Sequence, residues 1–192
     1  VRSRRQRQMC IRDSLYIERI EGDQYWRDGA LVPIEETTET IKVAGGDDID
    51  LTIRSTAHGP IISGLTDDFT AIADDPEPGL TAGGATGTAP TGEASEYAVS
   101  LRWTALDPGT AATAIFALST AQDFEEFRSA AALFDVPAQN LIYADVEGNI
   151  GYQTPGRLPV RGAGDGWMPQ PGWDSSYDWT GFIPFDELPV SY

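Results

Sequence analysis

Pro137-Ala-Gln-Asn-Leu-Ile-Tyr-Ala-Asp-Val-Glu-Gly-Asn-Ile-Gly-Tyr-Gln-Thr-Pro-Gly-Arg-Leu-Pro-Val-Arg161 holds two short β-forming runs around a turn. Leu141–Asp145 and Ile150–Gln153 are the arms, and Val146-Glu-Gly-Asn149 joins them. Gly148 is the residue free to take the left-handed backbone that the turn needs. Val136-Pro137 closes off whatever precedes, because a residue before proline is driven out of the helical region.

Upstream of this hairpin the period changes from two to between three and four. Asp107-Pro108 has the form of an N-cap followed by proline at the first helical position, which predicts a helix over about 108–118. Such a helix would bury Ala112, Ile115 and Phe116. A second helix is expected from near Thr120, with Phe124, Phe127 and Ala131 on one stripe. Asp123, Glu125 and Glu126 would then sit at its positive end.

Tyr97–Thr104 reads as a strand with Val99, Leu101 and Trp103 on one face. Nearer the start, Leu15–Ile20 and Gln24–Arg27 are separated by Glu21-Gly22-Asp23, with another turn at Asp28-Gly29, as in a meander. Thr38–Val43 and Ile49–Ser55 flank Ala44-Gly45-Gly46-Asp47-Asp48. There Ile49, Leu51 and Ile53 alternate with polar residues, predicting one buried face. Residues 73–96 are small, polar and turn-forming, and are expected to be a flexible, acidic, Gly-rich insertion. Their glycines fit neither phosphate-binding pattern. After Thr154, dense Pro and Gly with Trp167, Trp173 and Trp179 predict irregular chain anchored by aromatics. The fold class is therefore α+β, β-rich, with two helices near 108–134.

The chain has 192 residues, with 13 basic and 30 acidic side chains and a formal charge of −17. Five of the basic residues and one of the acidic ones lie in the first thirteen positions, which leaves −21 for residues 14–192. That balance excludes a nucleic-acid binder, which needs a basic face for phosphates. Nothing approaches the ~20 apolar residues of a spanning helix. Scarce Lys with abundant acid suits a protein kept hydrated in concentrated salt, and suits an ordinary acidic secreted protein equally. The basic start, Val1–Ser14, lacks the apolar stretch of a signal peptide and reads as a foreign leader or assembly artefact. The only cysteine, Cys10, lies inside it.

Few residues carry chemistry by pattern alone. His58, the only histidine, precedes Gly-Pro and reads as a hydrogen-bonded turn residue rather than a catalytic base. Two histidine ligands for zinc are impossible. Asp47-Asp48 and Asp74-Asp75 read as solvated loop acids. Asp165, between Gly164 and Gly166, could turn oxygens toward calcium, which needs 6–8 of them.

The 137–161 run resembles the β-chain of the penicillin acylase family, the N-terminal nucleophile (Ntn) amide hydrolases. Leu15-Tyr-Ile-Glu-Arg19, Arg54-Ser-Thr-Ala-His-Gly-Pro-Ile61, Arg102-Trp-Thr-Ala-Leu-Asp107, Phe124–Phe127 and Tyr177-Asp-Trp-Thr-Gly-Phe-Ile-Pro-Phe185 follow in the family's order. The resemblance implies a partial β-chain over 15–192, from an αββα sandwich whose parent cleaves linear amides such as penicillins or other N-acyl substrates. The implied nucleophile is an N-terminal Ser, activated by its own α-amine, with an Asn helping to hold the oxyanion. None of the serines here follows Gly, so nucleophile and oxyanion Asn are expected outside this segment. No catalytic residue is assigned, and the isolated segment is expected to be inactive.

The resemblance further implies structural calcium, with Gly166 presenting its backbone carbonyl. Ile11 and Ser14 stand where the family has two calcium-binding aspartates. Gln139 falls at a position lining the acyl pocket, or else only orders the strand after it. Implied partners are the rest of the β-chain, an α-chain and a small amide substrate. An exported protein, and a role in antibiotic metabolism, would follow. The competing expectation is a non-catalytic β-rich calcium-binding or interaction module.

Overall fold

The computed structural model describes residues 13–76 and 96–192. In chain order the strands are β1 (Asp13–Glu21), β2 (Gln24–Arg27), β3 (Ala30–Pro33), β4 (Glu35–Ile41), β5 (Ile49–Thr56) and β6 (Gly59–Pro60). Helix α1 (Asp67–Asp74) precedes β7 (Glu96–Trp103), and α2 (Ala111–Leu118) and α3 (Phe124–Ala131) follow it. Then come β8 (Leu141–Ala144), β9 (Ile150–Gln153), β10 (Pro159–Arg161), β11 (Gln170–Pro171), β12 (Trp179–Phe182) and β13 (Val190–Ser191). The α+β class is thus observed. The chain divides into two compact units: Ser14–Arg102 with Arg161–Asp178, and Trp103–Val160 with Trp179–Tyr192.

The first unit is organised by β1, which pairs antiparallel with β2, parallel with β11, and also with β7. Pairing satisfies the edges of β1, and packing covers both its faces, since Ser14 and Tyr16–Ile20 are all buried. Its alternation sorts the two faces. Ile20 joins Tyr25, Ile34 and Ala98 in one apolar cluster, and Leu15 packs against Val99, Ile62 and Ala73 in another. Burying an Ile or Tyr of this kind contributes roughly 1.5–3 kcal/mol. Glu18 and Arg19 lie buried in the middle of the same strand.

β4 and β5 form a seven-pair antiparallel ladder from Glu35↔Ser55 to Ile41↔Ile49, and β6 extends it. The alternation in β5 does not mark a buried face: Ile49 is 55% and Leu51 48% exposed. The ribbon projects with both faces wet, so period two here reflects pairing without coverage. Helix α1 was not anticipated. Thr66 caps it by accepting from Phe69 N, and Asp67 and Asp68 occupy its first turn. Of the expected 73–96 insertion, 77–95 lie outside the described residues; α1 reaches Asp74 on one side and β7 begins at Glu96 on the other.

In the second unit the β8–β9 hairpin forms as its sequence implies, with Tyr143 opposite Gly151. Gly148 has φ +91°, and the Asp145 carboxylate closes the turn by accepting from Glu147 N, Asn149 N and Asn149 Nδ2. β13 adds to the other side of β9, and β10 pairs with β12. α3 begins as predicted, its Asp123 cap accepting from Glu126 N at 2.8 Å. α2 departs from expectation. It starts at Ala111 rather than near Pro108, because Thr110 N donates to the Asp135 carboxylate and Gly109 lies against that same side chain. Its buried residue is Ala114, whereas Ala112 is exposed and Ile115 and Phe116 are 58% and 75% exposed.

Candidate functional site

The densest chemistry in the first unit gathers around His58, on the turn between β5 and β6. Its ring stacks on Tyr16 of β1, with centroids 3.7 Å apart and planes 8° from parallel. Tyr16 is itself fixed, its hydroxyl donating to Tyr177 O at 3.0 Å. His58 Nδ1 lies 2.8 Å from Glu18 Oε1, and Nε2 lies 3.0 Å from Asp178 Oδ1. Glu18 Oε1 also accepts from Thr56 Oγ1 at 2.8 Å and Ser100 Oγ at 2.6 Å. Arg27 of β2 donates to Asp178 from both Nη1 and Nη2, and Nη1 also reaches Gly172 O.

Geometry assigns the protonation state. A neutral imidazole has one N–H, so one of the two carboxylates would face a ring lone pair. With both nitrogens protonated, each donates to a carboxylate, and the charges of Glu18, Asp178, Arg27 and His58 sum to zero. Arg27 Nη1, 3.0 Å from His58 Nε2, is then a second donor sharing Asp178 Oδ1 rather than a partner of the ring. Burial alone would push the His58 pKa down, but the hydrogen bonds and charges of Asp178 and Glu18 raise it above 6.5. Burial pushes Glu18 up, yet His58, Ser100 and Thr56 hold it below its ordinary value. Asp178, opposed by burial in the same way, is brought down to about 2 by His58 and Arg27.

This cluster is a neutral network, buried at Glu18 and His58 and 30% exposed at the Asp178 side chain. Glu18 is 0% exposed and its Oε2 has no hydrogen-bond partner. Gly172 abuts that carboxylate, and a Cβ there would lie 2.6 Å from Glu18 Cδ. The expectation for His58, a hydrogen-bonded turn residue, agrees with these contacts. Sequence reasoning did not connect it to Glu18, Arg27 or Asp178. The available signal was an acid and a base in the apolar run Leu15-Tyr-Ile-Glu-Arg-Ile20.

The other predicted residues lie apart from the cluster. Gln139, in the second unit, is exposed, and its backbone N–H donates to Pro155 O at 3.2 Å just before β8. Asp165 is exposed, with Oδ1 accepting from Trp167 N at 2.9 Å. Asp74 and Asp75 are exposed, and Asp48 pairs with Lys42. Gly166 has φ +75° and is backed by the Arg161 side chain, whose Cζ is 2.7 Å from where a Cβ would stand. Arg161 Nε donates to the buried Ser14 Oγ at 3.0 Å. Ser14, Arg161 and Gly166 do not fit calcium: a guanidinium offers only donors, and its charge repels a second cation. Among the described residues no three His, Cys, Asp or Glu side chains cluster as metal ligands.

The family model for penicillin amidase matches residues 12–192, nearly the whole chain. The chain belongs to the penicillin amidase family. Among its relatives, the acyl-homoserine lactone acylase QuiP of Pseudomonas syringae pv. tomato is 32% identical over 184 residues, covering 91% of this chain and 19% of that protein. Penicillin acylase 2 proenzyme of Pseudomonas sp. is 31% identical over 157 residues, covering 82% and 17%. A thermostable penicillin G acylase from Alcaligenes faecalis superposes with a TM-score of 0.69 at 28% identity, over 94% of this chain and 28% of that one. This penicillin amidase segment thus spans about a fifth of the length of the relatives it matches. The family match does not favour the alternative of a non-catalytic module. Among the described residues, no helix is long and apolar enough to cross a membrane.

Proposed function

We propose that the chain is part of an amidohydrolase that cleaves the amide of a linear N-acyl substrate, with acyl-homoserine lactones and penicillins as the substrate classes. The observation that carries this is the family match across residues 12–192, with relatives named for both activities. The reaction is acyl transfer. A serine hydroxyl attacks the amide carbonyl, the leaving amine takes a proton, and water then hydrolyses the acyl-enzyme. The nucleophile is an N-terminal Ser whose α-amine is the base, and an Asn with backbone N–H groups holds the oxyanion. Both are supplied from outside these residues, with the rest of the β-chain and an α-chain as partners.

Within that scheme the chain supplies framework. The neutral Glu18–His58–Asp178–Arg27 network ties β1 to β2, the β5–β6 turn and the segment entering β12, so that β1 is held at fixed height in its sheet. Gln139 is a contact for the acyl group.

The test is hydrolysis of an N-acyl-homoserine lactone and of penicillin G, by this chain alone and by the longer protein containing it. The expected result is turnover only by the longer protein, with an acyl group trapped on its N-terminal Ser by mass spectrometry. Turnover by the chain alone with Val1 unmodified would show that a nucleophile lies within it. A longer protein inert toward both amides would refute the proposed reaction.

A further inference from the structure

We propose that residues 170–178 are a strap that charged His58 latches over Glu18. Loss of the ring proton releases the strap and opens the Glu18–His58 pair to water. Regular structure holds this segment only briefly. Its strand, β11, matches β1 at Tyr16↔Gln170 and Ile17↔Pro171, and proline brings no N–H to the ladder. Ser175–Tyr177 is a single three-residue turn. Backbone bonds join Gly172 N to Ile17 O at 2.8 Å and Asp28 N to Trp173 O at 2.9 Å. Side chains supply further ties: Tyr16 Oη donates to Tyr177 O, Asp28 Oδ1 accepts from Ser175 N, and Arg27 reaches Gly172 O and Asp178. The last tie is His58 Nε2 to Asp178 Oδ1. Buried Trp173 and Tyr177 add apolar packing, which does not change with pH. Beneath the strap lies Glu18, wholly buried against Gly172.

The ring is faced by Tyr16 and Glu18 from β1, Arg27 from β2 and Asp178 from the strap. Asp28 stands behind Arg27, and Arg161 acts on Tyr16. Burial pushes the Tyr16 hydroxyl up to about 12, and the Ser175 backbone holds Asp28 below its ordinary value. Glu18 and Asp178 are already ionised, and arginines stay charged at every pH a protein meets. Between 6.5 and the Tyr16 value, only the imidazole among these groups changes charge. A neutral ring has one N–H for two carboxylates. Glu18, wholly enclosed, keeps it, because a buried carboxylate without a donor costs more than one that can hydrate. Asp178, with its side chain 30% exposed, is the one let go. The charges of the network then sum to −1, and turning Asp178 outward relieves the surplus. The opening constant is flat where both forms hold the proton. It rises by up to about tenfold per pH unit once the open form has lost it, and levels off past the raised value of the latched form.

Amide hydrogen exchange of the full chain, across a pH series that starts below 6.5, tests this without any mutation. Expressing exchange as protection factors cancels its intrinsic base catalysis. The expected result is protection at Gly172 and Ser175 that falls as pH rises, by up to about tenfold per unit, while peptides from β2 and β7 keep theirs. His58 is the only histidine, so its ring protons report the titration by NMR, and the fall should level off where that titration ends. His58→Gln, uncharged at every pH, should remove the step. Strap protection that stays constant through the ring titration, or that falls only in parallel with β2 and β7, would overturn the inference. So would a His58→Gln protein that keeps the step. If His58→Gln does not fold, the pH series on the unaltered chain still decides.

Discussion

Removing the Glu18 carboxylate is the most informative perturbation of the first unit. Oε1 alone accepts from Thr56, His58 and Ser100 at 2.8, 2.8 and 2.6 Å. Glu18→Ala leaves the His58 imidazolium with one carboxylate instead of two and strands two hydroxyls in a site closed to water. Breaking a buried pair costs about 3–5 kcal/mol and each of the two stranded hydroxyls about 1, so the loss is about 5–7 kcal/mol. That is comparable with the whole stability of many domains, about 5–15 kcal/mol. Glu18→Gln keeps the shape and one acceptor oxygen but replaces charge-assisted bonds by neutral ones, for a loss of about 1–2 kcal/mol. The pH dependence separates electrostatics from packing. The folded pKa of His58 is raised above 6.5, so its contribution is complete below 6.5 and is lost as pH rises through the folded value. In Glu18→Gln one source of that rise is gone, so the alkaline loss should begin at lower pH. Urea denaturation at a series of pH values, with m checked for constancy, measures both effects. A parent stability that is flat above 6.5, or a Glu18→Ala protein within about 1 kcal/mol of the parent, would refute the network as described.

Other outcomes follow from the same coordinates. Gly172→Ala forces a methyl onto the Glu18 carboxylate and should cost about 1–3 kcal/mol, read as a lowered melting temperature. Asp178, held at about 2, contributes stability above its ordinary 3.8 that is lost as pH falls toward 2; Asp178→Asn should therefore flatten the acid limb of a stability–pH curve. Asp123→Ala removes the cap that accepts from Glu126 N and should lower stability by about 1 kcal/mol in the same denaturation assay. Phe116→Ser, at a position read from sequence as buried but found largely exposed, should change stability by no more than about 0.5 kcal/mol.

What could be read in advance was local. The β8–β9 hairpin carries its own turn chemistry in Asp145 and Gly148, and α3 carries its own cap in Asp123, so short windows of sequence suffice. The α2 boundary failed because Asp135, 25 positions away, captures Thr110 N and overrides the Asp107-Pro108 signal. The exposure of Ile115 and Phe116 failed for a related reason: periodicity says that residues share a face, but coverage depends on what else is present. Helix α1 could have been found, since Thr66-Asp67-Asp68 is a good helix start. The His58 network was legible only as an oddity, a charged pair inside the strand at Glu18 and Arg19. Its members are separated by up to 160 positions, and only the fold brings Asp178 to Glu18.

The β4–β5 ribbon gives the chain's acidity a local purpose. Among the described residues β4 pairs only with β5, so its other edge offers a row of free backbone groups, beside the exposed side chains of Ile41, Ile49 and Leu51. An edge of this kind invites a second copy to add a strand. Glu35, Glu36 and Glu39 lie along it, and every one of them is exposed. They act as a fence, and its reach is the Debye length: about 10 Å at 0.1 M salt but only about 3 Å at 1 M. Ionic strength therefore sets how closely two molecules approach through this edge. In dilute buffer the repulsion of the glutamates reaches well beyond the edge, and in molar salt it ends almost at the side chains themselves.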